Sequence, residues 1–133
     1  MATMANITVK KADGTTDVVW TAQIGSSGDK TPAVWKNLTV GTMPAEQPSF
    51  SAMSRSNGPG TARRLDLSFQ WPMTSQDAGG NKVVSGRAVG QASILVPQNQ
   101  DLAVISEEVA QFFNLCASAL IKQAAREGYA PRG

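Results

Sequence analysis

Histidine is absent from this 133-residue chain, and Cys116 is its single cysteine. Without histidine there is no Ser-His or Cys-His nucleophile pair, and the commonest zinc ligand is missing. One cysteine cannot close a disulfide within the chain. Only Asp, Glu, Lys, Ser or Tyr could supply catalytic chemistry. We therefore expect a protein that is not an enzyme and that has no metal site and no cofactor.

Long apolar runs are missing as well, since none approaches the roughly 20 residues of a membrane-spanning helix. Charge is scarce: the net charge is only +2, too small to indicate nucleic-acid binding by itself. Its distribution is uneven, because residues 48–97 hold five Lys and Arg against two Asp, whereas residues 98–133 hold three against four acidic residues. Ordinary surface solvation and phosphate binding explain so small a bias equally well.

The first two-thirds of the chain alternates between apolar and polar residues with the two-residue period of β-strands. Asp13-Gly14, between two short apolar runs, predicts a hairpin within residues 1–23. Alternation over residues 34–97 predicts an antiparallel sheet, which with the hairpin gives about five strands. We expect Pro72 to end one strand, because proline cannot donate to the ladder, and a ten-residue loop to follow from Met73 to Lys82.

Other segments of this region carry weaker signals. Val34 to Val40 and Ser49 to Arg55 alternate and predict strands, and Asn57–Gly60 predicts a turn between strands. Gly86 and Gly90 interrupt the last long strand, which predicts a bulge or bend there.

After Pro97 the apolar spacing changes to the three- and four-residue steps of a helix. The residues that show this spacing are Val109, Phe112, Phe113, Cys116 and Leu120. We expect a helical region over residues 104–127, with Ser106 as its N-cap and Glu107-Glu108 in the first turn, where the helix dipole favours negative charge. Gly128 and Pro131 end it. Because Cys116 lies on the apolar stripe, we expect a packed structural thiol.

The predicted fold class is α+β, in one domain spanning residues 1–133: an N-terminal hairpin, an antiparallel sheet and a C-terminal helix or helix pair. One helical region is too small to cover the apolar face of a sheet this wide. A second copy of the chain is the economical cover, because two-fold pairing supplies two sets of helices to one joined sheet. We therefore expect a homodimer.

This order of elements resembles the coat proteins of single-stranded RNA bacteriophages of the levivirus type. The resemblance covers nearly the whole chain and rests on pattern and spacing, with no invariant motif. The stretches that carry it are Arg63–Pro72, a glycine-containing loop, Gln91–Pro97, and Val109–Ala125, in which Cys116–Ile121 resembles the family's junction between two short helices.

The resemblance implies a capsid protein whose interlocked dimers build an icosahedral T=3 shell around single-stranded RNA. Such a protein is found in the virion, and in the host bacterial cytoplasm during assembly, with no membrane partner. In well-known members an RNA hairpin bound by the coat protein also represses translation. The alternatives are a dimeric RNA-binding β-sheet module that forms no shell and, against our expectation, an enzyme with a carboxylate or Lys site.

The family's inner sheet face implies a set of RNA-binding positions in this chain. They are Ser49, Ser51, Arg55, Arg63, Arg64, Ser68, Arg87, Val89 and Gln91. Hairpin-binding relatives have Lys at the position of Ser68, a base-stacking Tyr at that of Val89, and Asn at that of Gln91. Val89 cannot stack on a base, and Asp66 on the same face would repel phosphate. RNA packaging is therefore favoured over the same hairpin recognition.

The resemblance assigns two further groups of residues. The dimer interface would contain the helix stripe, which is Val109, Phe112, Phe113, Cys116 and Leu120. The loop that contacts other dimers around the five-fold and quasi-six-fold axes would contain Gln76, Asp77, Ala78, Gly79 and Gly80.

Overall fold

The computed structural model describes residues 2–41 and 43–133 of the chain. They form a series of β-strands followed by two helices, in two compact units: a sheet unit that ends at Leu95 and a helical unit, Val96–Gly133. The elements in chain order are β1 (Ile7–Lys10), β2 (Asp17–Ile24), β3 (Ala33–Lys36), a 3₁₀ turn (Pro44–Glu46), β4 (Ser49–Ser56), β5 (Ala62–Gln76), β6 (Lys82–Pro97), α1 (Leu102–Cys116) and α2 (Ala119–Glu127).

The strands form one sheet whose spatial order, β1-β2-β3-β4-β5-β6, is the order of the chain. The pairings from β1 to β5 are antiparallel, with Ile7 opposite Trp20 and Phe50 opposite Phe69. The α+β fold is confirmed, with six strands among the described residues in place of about five. The single-domain organisation over residues 1–133 stays a prediction.

The N-terminal hairpin forms where Asp13-Gly14 predicts it, between β1 and β2. Gly14 has a φ of +76°, a conformation that glycine adopts without strain. The Asp13 carboxylate accepts hydrogen bonds from the Thr16 hydroxyl and from the backbone N–H groups of Thr16 and Thr15. These bonds favour the ionised form and lower the pKa of Asp13 to about 2. A local side-chain cap therefore closes this turn.

Strand β3 is shorter than the alternation from Val34 to Val40 predicts, because it ends at Lys36. Asn37, which is buried, uses its side-chain oxygen to accept hydrogen bonds from the backbone N–H and the hydroxyl of Thr39. This local turn competes with continuation of the strand, as asparagine side chains commonly do. The prediction of a strand reaching Val40 is wrong.

Pro72 does not end a strand, since β5 runs through it to Gln76. β4 begins at Ser49, opposite Gln70, so β5 has no β4 partner beyond that point. A residue without an N–H donor is tolerated where one edge of a strand is unpaired. The connection to β6 is therefore only residues 77–81, in place of a ten-residue loop.

Strand β6 passes Gly86 and Gly90 as one continuous element. A Cβ built on Gly90 would lie 3.4 Å from Cβ of Phe69, and one on Gly86 would lie 3.0 Å from Cε of Met73. Both glycines therefore make room for large side chains of β5. This packing, rather than a break in the strand, explains the two glycines.

The helices confirm the expected junction and correct the start. α1 begins at Leu102 with Asp101 as N-cap, so the prediction of Ser106 is wrong: Ser106 lies inside the helix and its hydroxyl donates to the Leu102 carbonyl. Glu107 and Glu108 are consequently outside the first turn. No single described helix is long and apolar enough to cross a membrane, and α1 and α2 pass that test only together, across a 49° bend.

The break between the helices follows from local capping. α1 ends at Cys116 and α2 begins at Ala119. Ser118 is the N-cap of α2, because its hydroxyl accepts a hydrogen bond from the backbone N–H of Ile121. Gly128 ends α2 in the left-handed conformation with φ of +80°.

Large apolar side chains are poorly covered in the single chain. Among the described residues, Trp20 and Ala62 are the buried hydrophobic residues, and neither helix contains a buried residue. Leu115 and Leu120 are 65% and 60% exposed. A domain of this length ordinarily buries more than half of the surface of its unfolded chain. The apolar residues of this chain therefore need a further cover.

Candidate nucleic-acid interface

The register of β4 and β5 sorts their side chains onto two faces, because successive residues of a strand point to opposite sides. Phe50 is opposite Phe69, which defines the apolar face. Ser51 is opposite Ser68 and Arg55 is opposite Arg64, which defines the polar face. Gly90 of β6 lies against Phe69 and is therefore on the apolar face, so its neighbours Val89 and Gln91 are on the polar face. The predicted residues on the polar face are Ser49, Ser51, Arg55, Arg64, Ser68, Arg87, Val89 and Gln91.

Arg63 is the predicted residue that does not share this face. It lies one position from Arg64 and points to the apolar side, where its Nη1 donates to Asp29 Oδ2 at 2.9 Å and to Ser56 Oγ at 2.8 Å. A second guanidinium nitrogen pairs with the other Asp29 oxygen. This bidentate pair lowers the pKa of Asp29 and raises that of Arg63. We therefore leave Arg63 out of the interface.

A tight turn brings two arginines of the polar face together. The Asn57 side-chain oxygen accepts the backbone N–H of Ala62, and Gly60 adopts a φ of +73°, which closes the hairpin between β4 and β5. Arg55 and Arg64 thereby become directly opposed partners. Both side chains are 42% exposed. Partial exposure leaves them accessible to a ligand.

Asp66 lies between these arginines on the same face. Its Oδ1 accepts a hydrogen bond from Arg64 Nε at 2.8 Å, and its Oδ2 lies 3.5 Å from Arg55 Nε. The Asp66 side chain is 26% exposed, less than either arginine. The three residues form a cluster, called the arginine cluster below, with a net charge of +1.

Shallow hollows flank Arg64 on the polar face. One, of about 280 Å³, is lined by Arg64, Asp66, Leu67, Ser68, Gln91, Ala92 and Ser93. The other, of about 440 Å³, is lined by Arg55, Ser56, Asn57, Gly58, Arg64, Ser93 and Leu95. The predicted Ser68 and Gln91 therefore meet Arg64 at one hollow, and Arg55 meets Arg64 at the other.

The remaining predicted residues lie further along the face. Arg87 Nη1 donates to Gln70 Oε1 at 3.2 Å, a contact with an uncharged group that leaves its charge uncompensated. Val89 is 58% exposed and presents an aliphatic surface. Ser49 and Ser51 lie on β4, opposite Gln70 and Ser68. The face thus offers cations and small polar groups, and its exposed side chains at these positions include no aromatic ring.

Sequence reasoning missed three residues of this surface. Ser93 and Leu95 continue the alternation of Val89 and Gln91, so the two-residue period could have identified them. Asn57 was assigned only to a turn, although it also lines the larger hollow. Within the described residues, no group of three or more His, Cys, Asp or Glu side chains could hold a metal ion.

An antiparallel sheet in chain order followed by a bent helix pair is the fold of the single-stranded RNA bacteriophage coat proteins, which confirms the predicted resemblance in fold. Sequence comparison gives no such link, since no protein-family model and no curated protein matches the chain.

Solved structures carry the comparison over the full length. The chain is similar to the virus-like particle of bacteriophage NT-214, with a TM-score of 0.80 and 14% identity over 98% of this chain and 100% of that chain. The virus-like particle of Beihai levi-like virus 21 has a TM-score of 0.80 and 14% identity, over 99% of this chain and 100% of that chain. The capsid protein of bacteriophage GA has a TM-score of 0.67 and 18% identity, over 97% of this chain and 98% of that chain.

Proposed function

We propose that this chain is the coat protein of a single-stranded RNA bacteriophage, which dimerises, assembles into an icosahedral shell and packages RNA on the polar face of its sheet. The observation that carries the proposal is the coat-protein fold over essentially the whole chain, matched end to end by proteins described as virus-like particles. The role is structural, so the protein needs no catalytic residues and no cofactor. Its place is the virion, after assembly in the host bacterial cytoplasm.

Two features of the chain support a dimer. Strand β6, with 16 residues, is the last strand of the sheet order, so one of its edges has no partner strand among the described residues. A long exposed edge is a template for pairing with another chain. The half-exposed helix stripe, with Val109, Phe112 and Phe113 as its centre, needs an apolar partner surface. Joining two β6 edges would let each helix pair lie across the partner's sheet.

The first test is assembly of the full-length chain expressed alone. We expect dimers in equilibrium with hollow spherical particles that carry host RNA, because the apolar surface left open by one chain favours association. Size-exclusion chromatography with light scattering measures the species, and electron microscopy of the large fraction shows their shape. A stable monomer at micromolar concentration, without large species, would rule out both the dimer and the shell.

The same measurement decides the second candidate function, a dimeric RNA-binding module without a shell. The polar face with Arg55, Arg64 and Arg87 supports RNA binding whether or not a shell forms. Dimers that bind RNA but never give large particles would favour this module over the coat protein.

The connection between β5 and β6 is our candidate for contacts between dimers. It is a compact turn in which Asp77 Oδ1 accepts the backbone N–H groups of Gly79 and Asn81, and Gly80 has a φ of +78°. Gln76, also predicted to lie in this loop, is the last residue of β5. Ala78 and Gly79 lie at the exposed tip of the turn. A tip of small residues suits packing against neighbours around an axis.

Deleting Ala78 and Gly79 tests this role. The deletion leaves Asp77-Gly80 as a two-residue Asp-Gly turn, which closes a hairpin well. We expect dimers of unchanged stability but shells of altered size, or none, because the tip no longer reaches its neighbours. Electron microscopy and light scattering check the shells, with Ala78→Ser as a control of unchanged length. Shells of normal size and stability from the deletion variant would remove the axis-contact role.

Packaging by charge and polar contacts is the RNA function that the face supports best. Phosphate contacts give affinity without reading sequence, whereas base stacking and base edges give sequence preference. Val89 offers no aromatic stacking, and Ser68 offers no cation. Repression of translation through a hairpin would therefore need a recognition different from that of the hairpin-binding relatives.

A further inference from the structure

Arg55 and Arg64 are like charges placed directly opposite each other on adjacent strands. Such a pair is destabilising in a sheet unless something compensates it. Asp66, two residues from Arg64 and so on the same face, supplies the compensation through contacts with both guanidinium groups. A neutral side chain at either of these two positions would have removed the repulsion more simply. The pairing of two arginines therefore points to a ligand.

The contacts of Asp66 use one particular edge of each arginine. Its oxygens face Nε of Arg64 at 2.8 Å and Nε of Arg55 at 3.5 Å. Among the described residues, the terminal η nitrogens of Arg55 and Arg64 make no hydrogen bond. A guanidinium group held at Nε keeps its two terminal nitrogens as a rigid fork that matches the oxygens of a phosphate. Asp66 thus orients the fork of Arg64 by a hydrogen bond and attracts Arg55 by an ion pair, without occupying either fork.

We propose that Asp66 is a positioning residue of the RNA surface, which holds Arg55 and Arg64 so that their terminal nitrogens bind one phosphate group of the RNA strand. This inference rests on the proposed packaging of RNA. Asp66 also cancels one of the two positive charges, so the cluster recognises phosphate by geometry more than by bulk charge. An RNA strand is held where its phosphate fits the paired forks and is attracted less strongly elsewhere.

The neighbouring hollow accommodates the rest of the nucleotide. Its volume of about 440 Å³ falls within the ~300–1,000 Å³ typical of small-ligand sites. Leu95, which is 56% exposed, gives it an apolar wall, and Ser93 and Asn57 give polar groups on either side. A phosphate on the arginine cluster would leave the attached sugar and base beside Leu95. The ligand class is therefore one nucleotide of a single RNA strand.

A double-substitution cycle between Asp66 and Arg64 separates positioning from charge. Dimers are separated from particles by size-exclusion chromatography. Their binding to a mixed-sequence single-stranded RNA of 20 nucleotides is then measured by filter binding across a salt series. Arg64→Lys keeps the charge but loses the fork, so it should weaken binding by about fivefold in the otherwise unchanged chain. In the Asp66→Asn background, where Arg64 is no longer held, the same change should cost under about twofold.

The salt slope is the slope of the logarithm of the binding constant against the logarithm of the salt concentration. Asp66→Asn alone should steepen it by about 0.7, the value for one more phosphate contact on a single strand. Asp101→Asn in the helical unit removes the same charge and should leave the slope unchanged. If Asp66→Asn does not give a folded dimer, Asp66→Glu replaces it as the background. The loss of RNA affinity caused by Arg64→Lys should be smaller in the Asp66→Glu protein than in the wild type, and the salt slope of Asp66→Glu should equal that of the wild type.

An equal cost of Arg64→Lys in both backgrounds would overturn the positioning role and leave RNA packaging intact. Wild-type protein without salt-dependent RNA binding would overturn both, and the shell-building role would remain.

Discussion

Phe113→Ala is expected to lower the free energy of unfolding by about 3–5 kcal/mol, the usual cost of emptying a packed phenylalanine site. In the single chain Phe113 is only half-buried and meets the ring of Phe112 edge-on at 5.1 Å. The full cost therefore requires that a second chain completes its burial. Because folding and dimerisation are then coupled, the loss should depend on protein concentration.

Urea unfolding at two protein concentrations measures this effect. Asn114→Ala, next to Phe113 on an exposed position of α1, is the matched control and should change stability by no more than about 0.5 kcal/mol. A Phe113→Ala protein with the unfolding midpoint of the wild type at both concentrations would contradict the proposed dimer interface.

Replacing Arg55 and Arg64 together with Ala is expected to weaken RNA binding by at least about tenfold, because two charge-assisted contacts are lost. The salt slope should become shallower by about 0.7, the value for the one phosphate contact with a single strand that the two arginines share. Since phosphate carries no sequence information, RNAs of different sequence should lose affinity alike. Filter binding across a salt series, with several RNAs, provides the measurement.

Arg63→Ala is the matched control for this experiment. Arg63 is adjacent to Arg64 in sequence and has the same chemistry, but it lies on the apolar face and is paired with Asp29. An exposed ion pair contributes little, on the order of 0–1 kcal/mol, so the variant should fold. If Arg63→Ala weakened binding as much as the double substitution, the RNA would not lie on the polar face.

The elements that alternation and helical spacing specify could be predicted from the sequence. Leu65 to Trp71 and Gln91 to Val96 alternate on the faces that the register gives them, and the helix break falls at the predicted junction. Their side-chain pattern decides which face can be buried, and burial is the largest favourable term in folding. Such patterns are local and can be read without the fold.

Some strand and helix boundaries were predicted wrongly. In β5 the reason is that the end of the strand is set by residues distant in sequence. Whether Pro72 ends a strand depends on where β4 begins, which the sequence around Pro72 does not contain. The start of α1 at Leu102, with Asp101 as its N-cap, was missed because the first turn lacks the acidic residues used to place it.

The interface shows the same division between local and distant information. Eight of the nine predicted RNA-contact positions share one face of the sheet because they follow the two-residue period. Arg63 differs because alternation places it on the other face of the sheet from Arg64, where it pairs with Asp29, 34 residues away in sequence. The bridging of Arg55 and Arg64 by Asp66 likewise needs the register between β4 and β5. Separations of this kind become visible only with the folded sheet.

The agreement between the order of strands in the sheet and their order in the chain has a consequence for synthesis on the ribosome. Every strand pairs with a segment that has already emerged, so each pairing closes a short loop, and short loops close quickly. β6 is made last, and its free edge is the one we propose for the partner chain. The edge that we propose for the partner chain is therefore complete only after the other five strands have emerged, so pairing through β6 would follow formation of the rest of the sheet.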